Sequence, residues 1–363
     1  MRVLFDMGHP AHVHLFRNTI HNLIRDGHVV KITARNKEVT LALLKAYGLD
    51  YENRGEIYTG MLNKAFGMIK IDLKLLQIAR KFKPDILVGV HNPYVAHVGM
   101  VLRKPVIIFT DTENVKIASY LTYPFVQAIV TPMFFKEHID PKKHVKIRGL
   151  KEIAYLHPDY FSPDPQVLQE IGLQPDEKFI IMRFISWGAS HDTDLHGIQK
   201  GAEKEIIQKL SRYGRIFITS EKPLEGDLEN YRLHVPPEKI HSLLYYAQMY
   251  IGEGGTMAAE SGILGTPAIH IESTSSGQAT GETCGNFLEL RDAYGLIYFY
   301  PTQEKALKKA LEILENPQSK EEWQKKQKKL WSDVIDVTAW LTDFIENYPD
   351  SFYKYRKENR VSQ

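Results

Sequence analysis

The stretch Met249-Tyr250-Ile251-Gly252-Glu253-Gly254-Gly255-Thr256-Met257-Ala258-Ala259-Glu260-Ser261-Gly262-Ile263-Leu264-Gly265-Thr266-Pro267-Ala268-Ile269-His270-Ile271 reads as a strand, a glycine loop, a helix and a second strand. Met249 to Gly252 and Ala268 to Ile271 are short apolar runs of strand length, and Thr256 to Leu264 between them suits a helix. Gly265 falls where a helix ends in the left-handed conformation, and Pro267 cannot continue it. Two strands joined through a helix form a parallel pair, so this segment sets the class as α/β.

The same alternation extends in both directions. Phe179 to Ile185, Ile216 to Thr219 and Leu296 to Tyr300 complete one series of strands; Val3 to Phe5, Val29 to Thr33, Ile86 to Val90, Val106 to Thr110 and Ala128 to Thr131 form an earlier one. Behind the first strand Val13, Phe16, Ile20, Leu23 and Ile24 share a helix face, with Gly27 at its end. The expectation is therefore two Rossmann-like, doubly wound parallel-sheet domains, over 1–154 and 178–330. A proline-rich linker at 155–177 holds Pro158, Pro163, Pro165 and Pro175, and a C-terminal helix at 331–363 is expected to pack across both domains through Trp331, Trp340, Leu341 and Phe344. Open parallel sheets take ligands at the carboxyl ends of their strands, which puts the expected site in a cleft between the two domains.

Composition removes several classes. The 363 residues carry 46 basic and 44 acidic side chains, a formal charge of +2, which implies no nucleic-acid partner. A single cysteine, Cys284, makes no internal disulfide or zinc pattern and fits a reducing cytoplasm. No apolar run approaches the roughly 18 residues of a membrane span, and Met1 to Asp6 has no charged leader, so a cytoplasmic, unexported chain is expected.

Gly254, Gly255 and Thr256 open a helix whose first N–H groups and dipole favour an anion, and a diphosphate is the expected occupant. The competing reading is a tight turn, with Glu260 exposed or paired to a lysine. The loop has neither the lysine of a P-loop nor the GxGxxG spacing of a dinucleotide site.

Tyr246 to Gly295 resembles the donor-nucleotide region of GT-B glycosyltransferases, above all the N-acetylglucosaminyltransferase of peptidoglycan synthesis. In that family an acid follows the small-residue loop by five positions and a glycine by ten, the spacing of Glu260 and Gly265 from Gly255. The resemblance gives Glu260 a ribose-hydroxyl role and makes Ser273 to Glu282 the loop facing donor sugar and acceptor. Asn286 to Gly295 matches the helix that follows. Gly8-His9-Pro10-Ala11-His12 stands where the family has a glycine-rich loop ending in histidine, and the whole chain resembles an uncharacterised GT-B-like family with this opening. Related UDP-N-acetylglucosamine 2-epimerases share the architecture. Their carboxylate positions are displaced here, at His91-Asn92-Pro93 and Ile108-Phe109-Thr110-Asp111-Thr112.

Glycosyl transfer needs a base near the acceptor and charge stabilisation at the departing diphosphate. Asp111 is the first candidate base, with an N-cap as its competing reading, followed by His12 and His9. Arg183 and Ser186 are the candidate diphosphate contacts, with Gly8 beside the first loop and Glu282 near the sugar. His191, Asp192, Asp194 and His196 are metal-compatible, yet their reading is loop polarity first, and no metal or cofactor is implied beyond a UDP-sugar substrate. Tyr58 to Lys74 mixes apolar residues and lysines as an interfacial helix would, the feature that a lipid-linked acceptor or peripheral contact with the inner face of a membrane would need; an ordinary amphipathic helix flanking the sheet gives the same pattern. The resemblance implies a nucleotide-sugar-dependent glycosyltransferase of surface glycan or glycolipid synthesis. The alternatives are a 2-epimerase and a catalytically silent nucleotide-sugar-binding protein.

Overall fold

A computed structural model describes residues 1–55, 61–113, 115–174, 176–185, 195–199, 201–220 and 223–361. The chain forms two units, Met1–Tyr160 together with Ile335–Gln363, and Phe161–Val334.

In chain order the first unit holds β1 (Arg2–Met7), α1 (Pro10–Arg25), β2 (Val29–Ala34), α2 (Thr40–Ala46), β3 (Tyr51–Asn53), α3 (Met61–Phe82), β4 (Ile86–Val90), α4 (Pro93–Leu102), β5 (Val106–Phe109), α5 (Lys116–Thr122), β6 (Ala128–Pro132), β7 (His144–Ile147) and α6 (Ile153–Leu156). Its strands form one parallel sheet in the order β3-β2-β1-β4-β5-β6-β7. Burial on both faces explains the near-continuous apolar strands: Val3, Leu4, Phe5 and Met7 of β1 are all 0% exposed. Helix α1 starts at the cap His9 with Pro10 in its first turn, buries Val13, Phe16, Ile20 and Leu23, and ends before Gly27 at φ +86. Ile24, expected on the buried face, is 51% exposed.

The second unit holds α7 (Gln166–Glu170), β8 (Phe179–Phe184), β9 (Leu195–His196), α8 (Ala202–Leu210), β10 (Arg215–Ser220), α9 (Ile240–Tyr246), β11 (Met249–Gly252), α10 (Gly255–Ile263), β12 (Ala268–Ile271), β13 (Ser273–Thr274), α11 (Gly285–Asp292), β14 (Ile297–Tyr300), α12 (Gln303–Glu315) and α13 (Ser319–Asp333). Its main sheet is parallel in the order β10-β8-β11-β12-β14, and β13 pairs with β9 separately. Both main sheets are doubly wound: the strand order reverses between β1 and β4 in one and between β8 and β11 in the other.

The expected C-terminal helix of 331–363 divides. Trp331 belongs to α13 of the second unit, whereas α14 (Val337–Glu346) and α15 (Asp350–Val361) belong to the first. Helix α14 lies against α1 and α6 through buried Leu341, Phe344 and Ile345, and Thr338 Oγ1 donates to the Ala154 carbonyl at 2.6 Å. Asn22 Nδ2 donates to Thr342 Oγ1 at 3.2 Å, and His28 Nε2 meets Glu346 Oε1 at 2.9 Å.

Candidate functional site

Gly252 and Arg183 are register partners on β11 and β8, the two strands that flank the reversal in the second unit. Gly252 sits at φ +147, and a Cβ there would lie 2.4 Å from the Arg183 carbonyl oxygen. Two further glycines admit side chains. At Gly254, φ +90, a Cβ would lie 2.9 Å from Arg183 Nε; at Gly255 it would lie 2.3 Å from the Phe287 ring. The loop is thus glycine-rich because Arg183 and Phe287 pack on it, a reason that ligand approach alone does not supply.

Neighbouring groups hold the turn. The buried Tyr250 hydroxyl donates to the Glu253 carbonyl at 2.5 Å and the Gly254 carbonyl at 3.2 Å. Glu253, 2% exposed, accepts from the Ile185 amide at 2.5 Å and the Ile198 amide at 2.8 Å, so one carboxylate ties together the two ends of the segment after β8. Sequence reasoning gave Glu253 no role; its only signal was an acid where the loop otherwise held glycines. Ser186, His191, Asp192 and Asp194 lie outside the described residues. His196 is in β9, and among the described residues no cluster of metal-ligating side chains forms.

Helix α10 starts at Gly254 with no capping side chain, and Gly254, Gly255, Thr256 and Met257 are half-buried. Its first turn therefore presents amide donors beside Arg183 at the carboxyl edge of the sheet.

Glu260 has a buried protein partner. It is 4% exposed, and its Oε1 lies 3.0 Å from His241 Nε2 on α9, itself 2% exposed. The acid with an expected ribose role also joins α10 to α9, and its partner is a histidine where the competing reading had a lysine. Glu282 accepts from Arg291 Nη1 at 2.7 Å, and that guanidinium lies 4.4 Å from the centre of the Phe299 ring. Burial pushes His270, 1% exposed, down to about 4, with its Nε2 3.5 Å from Glu272 Oε2.

The first unit gathers the remaining candidates. The Ala11 amide donates to His9 Nδ1 and the Gly8 amide to His12 Nδ1, each at 3.2 Å. An accepting Nδ1 places the ring proton on Nε2, so both neutral rings offer donors where a base needs a lone pair. Burial and then the Lys37 charge lower His9 to about 4; burial and then His9 hold His12 well below the usual histidine range.

Asp111 is neither cap nor open base. Helix α5 has no side-chain cap, and Asp111 Oδ2 takes Lys151 Nζ at 2.5 Å. Lys151 also meets Glu152 Oε1 at 2.9 Å. Burial opposes the Lys151 charge, but Asp111 and Glu152 raise its pKa overall, while burial raises that of Glu152. Asp111 Oδ2 is thus engaged by an ammonium. His91 bonds Thr110 Oγ1 at 2.7 Å and Ser119 Oγ at 3.0 Å, and Asn92 caps α4, so the segment that departs from the epimerase pattern is held by bonds within the first unit.

A family profile described as a protein of unknown function (DUF354) matches residues 1–276. An uncharacterized protein of Methanocaldococcus jannaschii is 26% identical over 279 residues, 74% of this chain and 80% of that one. The fold is shared with S. aureus MnaA in complex with UDP, at TM-score 0.67 and 11% identity over 96% of this chain and 97% of that one. It is shared also with the UDP-GlcNAc 2-epimerase of Neisseria meningitidis bound to UDP-GlcNAc, at TM-score 0.63, 13% identity and 98% and 100% coverage. The spinosyn rhamnosyltransferase SpnG in complex with thymidine diphosphate aligns at TM-score 0.60, 14% identity and 96% and 100% coverage. The chain has the GT-B, Rossmann-like α/β fold expected from its sequence.

Proposed function

The chain belongs to the DUF354 family of proteins of unknown function, and we propose that it is a nucleotide-sugar enzyme whose second unit holds the diphosphate of a uridine-linked donor and whose reaction transfers the sugar to an acceptor. One observation carries this reading: Arg183 lies along Gly254 beside the uncapped first turn of α10, where the strand order reverses. Guanidinium and amide N–H groups converge there, at the edge where doubly wound sheets bind nucleotides. That three solved structures of this fold carry UDP, UDP-GlcNAc or thymidine diphosphate supports the ligand class.

The magnitudes limit the loop's share. A charge at a helix N-terminus gains roughly 0.3–1 kcal/mol and a hydrogen bond to a charged group about 1.5–3 kcal/mol, whereas micromolar binding requires about 8 kcal/mol. Base and sugar contacts supply the remainder.

The acceptor in this reading is a surface glycan or its lipid-linked precursor, met at the inner face of a membrane. Helix α3 supports it: Phe66, Ile69 and Leu73 are 72%, 57% and 56% exposed on one stripe, beside exposed Lys70 and Lys74. Tyr58 lies outside the described residues, as do the side chains of Met61, Leu62 and Lys64. No helix among the described residues is long and apolar enough to cross a membrane.

The test is incubation of the full chain with UDP-sugars, with and without glycan or lipid-linked acceptors, followed by phosphorus NMR and mass spectrometry. Release of UDP together with a glycosylated acceptor supports transfer. A changed sugar stereocentre identifies an epimerase, and intact donor that binds the protein identifies a silent binding protein. Absence of binding contradicts the proposal.

A further inference from the structure

Arg54 follows β3 and is 3% exposed. Its Nε donates to Asp6 Oδ1 at 2.6 Å, and Asp6, wholly buried at the end of β1, also accepts from Thr33 Oγ1 at 2.6 Å and from Asn92 Nδ2 at 2.5 Å. Three donors occupy that carboxylate. Arg54 Nη1 is buried without a hydrogen-bond partner, while the Tyr94 ring, 4.6 Å from the guanidinium carbon, fixes the plane of the group. An unmet N–H on a buried cation costs more than the roughly 1–3 kcal/mol of a neutral one, so its persistence calls for an occupant.

Arg35, one residue past β2, lies next to it. Its Nη2 donates to the Gly8 carbonyl at 2.9 Å, and its Nε is likewise buried without a partner. The neighbouring carboxylates are engaged by lysines: Lys37 meets Glu38 at 3.1 Å, and Lys151 meets Asp111 and Glu152 at 2.5 and 2.9 Å. Among the described residues no carboxylate forms an ion pair with Arg35, so the Asp6, Arg35 and Arg54 group carries one surplus positive charge. Burial first, and then the charge of Arg54, lower the Arg35 pKa, as two crowded cations require.

We propose that Arg35 and Arg54, at the carboxyl ends of β2 and β3, form an oxyanion subsite that takes a carboxylate or phosphate group of a ligand through their unspent guanidinium N–H groups. An oxyanion would supply the acceptors that these two N–H groups lack, and Gly8 puts no side chain beside Arg54, whose Nη2 lies 3.6 Å from where a Cβ would stand. The subsite belongs to the first unit, whereas the diphosphate site proposed above belongs to the second, and the ligand group it takes is acidic.

Hydrogen exchange of the full chain, followed by mass spectrometry during titration with inorganic phosphate or malonate, tests it. The expected result is saturable protection of peptides covering residues 8–12, 34–38 and 53–55, with about a tenfold weaker midpoint in Arg35→Gln, a substitution that leaves the Asp6–Arg54 pair in place. Phosphate and malonate distinguish the two oxyanion sources. Protection by neither, or an unchanged midpoint in Arg35→Gln, overturns the subsite. Peptides over 252–260 report separately on the nucleotide reading, so either idea fails without the other.

Discussion

Arg183 and Gly254 fit so closely that a methyl group on residue 254 would sit 2.9 Å from Nε and 3.1 Å from Cδ of the arginine. The turn and the cation are one unit of structure, and a change in either disturbs both. Gly254→Ala must also adopt φ +90, which an L-residue reaches only at a cost of about 1–3 kcal/mol. The expected outcome is a lower melting temperature together with about tenfold weaker UDP binding as Arg183 is displaced, measured by calorimetry on one preparation.

Glu260 and His241 form a buried pair at 3.0 Å. Removal of one partner of a buried hydrogen bond leaves the other unsatisfied at a cost of about 1–3 kcal/mol, and a neutral isostere costs less because it still accepts a hydrogen bond. Glu260→Ala should therefore unfold at markedly lower denaturant concentration, with Glu260→Gln intermediate. Both should hold UDP within about threefold of the parent, equivalent to roughly 0.7 kcal/mol. A large selective loss of UDP affinity in a stable Glu260→Gln protein would instead support a ribose contact.

Asp111→Asn separates base from strut in the first unit. With Lys151 between Asp111 and Glu152, the substitution removes one of two counter-charges. The expected result is a stability loss of about 1–3 kcal/mol and less than about a tenfold change in turnover. A general base would give about 100-fold or more loss with unchanged stability.

His270 sets an acid limit on the second unit. Its folded pKa of about 4 lies below the ordinary value of about 6.5, so between these pH values the unfolded chain binds the additional proton. Stability from this group is complete above about pH 6.5 and declines as the pH falls toward 4, by about 2–3 kcal/mol near pH 4.5. Glu272, 3.5 Å away, is placed to soften the decline. Denaturant titrations of His270→Leu between pH 7.5 and 4.5 should show a flatter pH profile than the parent.

The two parallel sheets were legible because their central strands are apolar on both faces, as in Val3-Leu4-Phe5 and Ala268-Ile269-His270-Ile271. The edges were not: Tyr51-Glu52-Asn53 is short and polar, and His144-Val145-Lys146-Ile147 alternates like a half-exposed segment, yet both extend the first sheet as β3 and β7. The place of Arg183 in the first strand of the second sheet was legible, but its packing on Gly254 was not. The partners of Glu260 and Asp111 were not, since His241 is 19 residues away and Lys151 is 40, with no periodicity joining them. The basic stretch Lys325 to Lys329 has the pattern of a solvated helix face, yet Lys326 and Lys329 donate to the Gly295 and Ala293 carbonyls at 3.1 Å each, at the end of α11.

The most direct measurement is isothermal titration of UDP into the full chain and into Arg183→Met. The account predicts one site of about micromolar affinity in the parent, weakened about tenfold or more in the variant while it remains folded. Heats no larger than dilution in the parent, or equal affinities in the two proteins, would contradict it.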